Sequence, residues 1–143
     1  MVRFSIQVAL LILVAFFAWK KGGRPERHVA FILVAMLVAV VANAAINGHW
    51  TKYDGIPWFK AGVDLIAFVL ILAVALRADR WWPLCVASVQ LLSVLAHLLR
   101  IVDAGLPQLA YAIMERWPYM IAIAITGLGT YLHHRRQQTG TPN

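Results

Sequence analysis

Charge is scarce in this sequence, and negative charge is scarcer still. Of 143 residues, 6 are Asp or Glu and 13 are Lys or Arg, so charged residues make up 13% of the chain. An ordinary soluble protein carries about 25%. Cysteine is nearly absent. The single Cys85 lies inside an apolar run, which excludes an internal disulfide and any CxxC redox pair. A lone cysteine in such surroundings behaves as a small hydrophobe. No HExxH, GxSxG, P-loop or GxGxxG occurs, and no internal repeat is evident. The enzyme classes that depend on those motifs are therefore unsupported.

Apolar residues fill the space that charge leaves. They make up 62% of the chain, against about 45–50% in soluble proteins, and the mean hydropathy is +0.72. A single small domain buries only part of its chain and could not hide this much apolar surface from water. A bilayer removes the difficulty by acting as the solvent. The apolar residues fall into runs at about Phe4–Trp19, Val29–Ile46, Pro57–Leu76 and Trp82–Val102, with a last stretch beyond the break Asp103-Ala104-Gly105-Leu106-Pro107. The runs approach the roughly 20 residues that a spanning helix needs. Lipid offers the backbone no hydrogen-bond partners, so they must be helices, and no alternation suggests a barrel.

The last stretch reads in two ways. Gln108–Trp117 contains Glu115 and Arg116 and suits a short interfacial helix, with Pro118–Leu132 as a fifth crossing. One tilted, Pro-kinked helix over the whole stretch is the other form. The first run has the length of a signal peptide. No small-x-small cleavage site follows it, and Lys20 to Arg27 reads as a polar loop behind an uncleaved anchor. The expected fold is all-α: a polytopic membrane bundle of about five transmembrane helices plus a short interfacial helix. Residues 1–136 form a single domain, and residues 137–143 form a polar tail.

A net charge of +7 and a pI near 10.2 raise the question of nucleic acid. Here the basic residues cap apolar runs instead of lining one helix face, so no nucleic-acid binding is expected and the charges set topology. Lys20, Lys21, Arg24, Arg27, Arg77, Arg80, Arg135 and Arg136 fall on one side. Arg3, Lys52, Lys60, Arg100 and Arg116 fall on the other. The positive-inside rule then puts the N-terminus outside and the C-terminus in the cytoplasm of a bacterial inner membrane. Trp19, Trp50, Trp58, Trp81, Trp82 and Trp117 sit at the run ends as an aromatic belt.

Polar groups inside spans are costly, and here they cluster. Asn43 and Asn47 approach the outer end of the second run, with His49 beyond. Asp64 lies in the third run, and Gln90, Ser93, His97 and Arg100 share one helical face of the fourth. The short Arg77–Arg80 connection makes the third and fourth helices antiparallel neighbours. Counted from that turn at 1.5 Å per residue, Asp64 is about 22 Å deep and His97 about 27 Å. An Asp64–His97 or Asp64–Arg100 contact is therefore geometrically reasonable, and Asp64 should be paired or protonated, since an unpaired ionised carboxylate there is unfavourable. The group reads either as interhelical glue, with Ala35 and Ala39 forming a small-residue stripe beside Asn43, or as a ligand, ion or proton site.

Haem ligation by His97 needs a second intramembrane histidine facing it. Only His49 is near, at a helix end, so no cofactor is expected. His133 and His134 lack a third spaced metal ligand, and Arg77, Asp79 and Arg80 read as an ordinary turn within reach of lipid phosphates. The expected function is a non-enzymatic subunit or accessory component of a larger membrane complex, partnered by lipid and by other membrane subunits or further copies of itself. A small oligomeric transporter or channel using Asp64, His97 and Arg100 is the alternative.

Overall fold

The computed structural model describes residues 2–47, 58–102 and 108–140. The described residues form five α-helices and no strand: α1 (Val2–Lys21), α2 (Arg24–Asn47), α3 (Trp58–Arg77), α4 (Trp82–Val102) and α5 (Gln108–Thr139). Consecutive helices pack side by side and α5 returns against α1. The five thus close a ring, across which α2 also meets α5.

Each helix turns one narrow stripe inward. On α4 the stripe is Trp82, Pro83, Val86, Ala87, Gln90, Ser93, Ala96 and His97, which follows the 3.6-residue period. On α3 it is Ala67, Ile71 and Ala75, with Asp64 one turn earlier on the same face. Leu11, Val14 and Ala18 face inward from α1, and Val29, Leu33 and Met36 from α2. The outer faces stay apolar, with Ile12, Phe31, Ile46, Ile66 and Leu76 all exposed. Three helices are long and apolar enough to cross a membrane: 24–46, Trp58–Arg77 and Trp82–Val102. Only 28%, 22% and 33% of their apolar windows are buried within the protein, so most of that surface needs a nonaqueous neighbour. These helices are compatible with a membrane protein.

Two glycines permit close helix approach. A Cβ on Gly129 would lie 2.6 Å from the Trp82 ring, so the indole packs directly on the α5 backbone. A Cβ on Gly127 would stand 3.2 Å from Val14, where α1 meets α5. The hydroxyls of Thr126 and Thr130, buried in α5, donate back to the carbonyls of Ala122 and Thr126 and so need no outside partner.

The helices depart from the sequence expectations at several points. Of the two forms read for the last stretch, the structure has the single helix, 32 residues long with Pro118 inside it, and not an interfacial helix followed by a crossing. At 1.5 Å per residue it is about 48 Å long, more than the roughly 30 Å hydrocarbon core. It runs on to Thr139, so the tail is helical for three residues past Arg136. The Lys20–Arg27 loop shrinks to Gly22 and Gly23, because Arg24-Pro25-Glu26-Arg27 already forms the first turn of α2, where Pro is tolerated. Ala35 is exposed whereas Ala39 and Asn43 are half-buried, so the small-residue stripe is covered over only part of its length. Trp82 is buried, unlike the exposed Trp19, Trp58, Trp81 and Trp117, and does not belong to a belt. Trp50 lies outside the described residues.

Candidate functional site

Asp64 gathers three side chains of the neighbouring helix. Gln90 Nε2 donates to Asp64 Oδ1 at 3.2 Å and lies 3.5 Å from the Asp64 carbonyl oxygen. Ser93 Oγ donates to Oδ2 at 2.6 Å, and His97 Nε2 lies 3.0 Å from the same oxygen. An ionised Asp64 can only accept, and against it His97 donates from Nε2. The geometry follows from local structure. Residues 90, 93 and 97 stack on one face of α4, and the four-residue turn 78–81 holds α3 antiparallel beside it. Asp64 begins six residues into α3, about 9 Å along the axis from Trp58.

Gln90, Ser93 and His97 are each at most 4% exposed, and the Asp64 side chain is 13% exposed. Both carboxylate oxygens are engaged, as a buried charge requires. The arrangement can fix the register of α3 against α4. It can also hold a proton between a carboxylate and an imidazole.

The contacts that define this centre are those of Asp64, Gln90, Ser93 and His97, and the remaining expected site residues lie outside that set. Asn43 is half-buried on α2 and engaged by a neighbour. Arg100, also half-buried and engaged, sits one turn beyond His97. Asn47 closes α2, but its side chain lies outside the described residues, as does His49 altogether. Among the described residues no three His, Cys, Asp or Glu side chains gather into a metal-binding set.

A second polar centre occupies the other end of the bundle, and sequence reasoning missed it. Glu26, fully buried in the first turn of α2, accepts from Arg80 Nη1 at 3.1 Å through Oε1. Its Oε2 accepts no hydrogen bond among the described residues. A Cβ on Gly23 would stand 3.0 Å from that oxygen and 3.3 Å from His133 Nε2, so the α1–α2 connection, the α3–α4 turn and the last turns of α5 converge here. The one signal in the sequence was a lone acid among Arg24, Arg27 and, in a later turn, Arg80. Between the two centres, Tyr119 Oη donates to the Leu33 carbonyl at 2.7 Å and ties α5 to α2 just after Pro118. His134 stacks edge-on against Phe17.

Compared with known protein families, curated proteins and solved structures, the chain matches none.

Proposed function

We propose that the chain is a five-pass bundle of the bacterial inner membrane that serves as a non-enzymatic component of a larger membrane assembly, with Asp64 as its internal clamp. The observation that carries this reading is the saturation of the Asp64 carboxylate. Three donors from α4 occupy both of its oxygens and draw it into packing. The connections add support. Gly22–Gly23 and the four-residue turn 78–81 leave no room for a soluble catalytic domain at that end.

The proposed orientation rests on charge. Glu26–Arg80 and the approach of His133 to Gly23 gather the first connection, the α3–α4 turn and the end of α5 together. Lys20, Lys21, Arg24, Arg27, Arg77, Arg135 and Arg136 lie around them, so this end faces the cytoplasm and the N-terminus lies outside. The reading invokes no cofactor and no nucleic acid. Partners are lipid and other membrane subunits or further copies of the chain. Affinity purification from native membranes in mild detergent tests it. A defined, stoichiometric membrane partner is expected; a monodisperse single chain with transport activity of its own would overturn it.

One observation favours a second reading. The titratable pair Asp64–His97 keeps 13% of the Asp64 side chain accessible, as an ion or proton path would need. On that reading the chain is a small oligomeric transporter or channel, with Asn43, Asn47 and Arg100 along the path. Asp64→Asn would then abolish flux in liposomes with no loss of folded yield. If the substitution lowers yield and leaves no flux to compare, the clamp reading stands.

A further inference from the structure

A cavity of about 310 Å³ opens where the α3–α4 turn meets the end of α5. A water's share of liquid volume is about 30 Å³, so the space takes a group many times larger. Its polar wall is Asp79, Arg80, Trp82 and Arg136, and its apolar wall includes Leu84 and Leu132. We propose that it seats the headgroup of an ethanolamine phospholipid, with the phosphate between Arg80 and Arg136 and the ammonium against Asp79.

Position argues for a lipid. Trp82 is the first residue of α4, a helix apolar enough to span, so the cavity lies level with the end of that span, where headgroups lie. Trp81 beside it is exposed, as an interfacial tryptophan would be. Toward the hydrocarbon, exposed Leu84 on α4 and Leu128 on α5 continue the apolar wall along which acyl chains would run.

Charge argues for a zwitterion. The Arg80 charge is already balanced by buried Glu26 on its far side. Arg136 and Asp79 both line the cavity and form no ion pair among the described residues. The lining carries two arginines and one acid, and with Glu26 behind Arg80 counted the local charges sum to zero; separated charges of both signs suit a phosphate joined to an ammonium better than an anionic headgroup. Guanidinium groups are the natural partners of phosphate oxygens. The Trp82 indole, pinned on Gly129, adds an aromatic wall to the cavity.

The proposal rests on the bundle lying in a bilayer, and alkaline extraction of membranes reads that premise separately. The test uses the full chain, purified and delipidated in detergent. Native mass spectrometry follows the binding of phosphatidylethanolamine, phosphatidylglycerol and phosphatidylcholine, with phosphoethanolamine and inorganic phosphate as soluble competitors. One ethanolamine lipid should bind in preference to the other two. Arg136→Gln, at an exposed position that the fold does not need, should weaken it about tenfold, the loss of one charge-assisted contact. Asp79→Asn should erase the preference over phosphatidylglycerol, and phosphoethanolamine should compete better than inorganic phosphate. Unchanged binding in Arg136→Gln, a retained preference in Asp79→Asn, or equal competition by inorganic phosphate would each overturn the assignment. Far-UV dichroism of each variant keeps loss of binding distinct from loss of fold.

Discussion

Replacing Asp64 by alanine removes the acceptor of three buried donors at one stroke. Gln90, Ser93 and His97 are all but closed to solvent, so only the small opening at Asp64 admits water to the donors it leaves behind. Hydrogen bonds between membrane helices average about 0.6 kcal/mol and reach about 1.7, so three of them are worth about 2–5 kcal/mol. The upper half of that range applies here, because buried donors lose their side-chain acceptor when it goes. Asp64→Ala should therefore cost about 3–5 kcal/mol of unfolding free energy. Asp64→Asn keeps the volume and one oxygen and should cost less, about 1–2 kcal/mol. The assay is reversible unfolding in mixed micelles by titration with dodecyl sulfate, followed by far-UV dichroism. A double-mutant cycle of Asp64→Ala with His97→Ala isolates the pair, and the two costs should fall well short of additive. If Asp64→Ala unfolds within about 0.5 kcal/mol of the parent chain, the clamp does not exist as described.

Other perturbations separate further parts of the fold. Gly129→Ala drives a Cβ into the Trp82 ring and should cost about 1–3 kcal/mol, whereas Gly127→Ala meets only a Val14 methyl at 3.2 Å and should cost less. Equal thermal midpoints for the two would contradict the close α4–α5 approach. Tyr119→Phe removes one interhelical hydrogen bond and should cost about 0.5–1.5 kcal/mol, read from the same micelle titration. At the Glu26–Arg80 pair, Arg80→Ala should destabilise more than Glu26→Ala. The first leaves a fully buried carboxylate unpaired, on the order of 3 kcal/mol, and the second leaves an arginine that water still reaches. The reverse order would mean that Glu26 is not buried as an ion.

The sequence revealed the helices and one of the two polar centres for a shared reason: both are written in periodicity. The run Trp82–Val102 coincides with α4, and the spacing 90, 93, 97 placed three donors on one face before any contact was known. Arithmetic from a four-residue turn then brought Asp64 level with His97 to within about a turn. The other centre was hidden because its members look like loop residues. Glu26 sits among Arg24, Pro25 and Arg27, and only the return of the α3–α4 turn and of α5 buries it. Trp82 misled for a similar reason. It stands beside Trp81 at a run end, and its burial depends on Gly129, which is 47 positions away and carries no local signal. Continuity of α5 through Pro118 was also undecidable locally. Proline ends most helices but is tolerated where a neighbouring helix supports the chain, and Tyr119 bonds α2 at that very point.

Cysteine accessibility measures the membrane crossings most directly. In a Cys85→Ala background, single substitutions Lys21→Cys, Thr51→Cys and Gln138→Cys are labelled with a membrane-impermeant maleimide in intact spheroplasts and in inverted vesicles. The five-pass reading expects the cysteine at position 51 to react only from outside, and those at positions 21 and 138 only from the cytoplasmic face. Labelling of all three from the same face would contradict it.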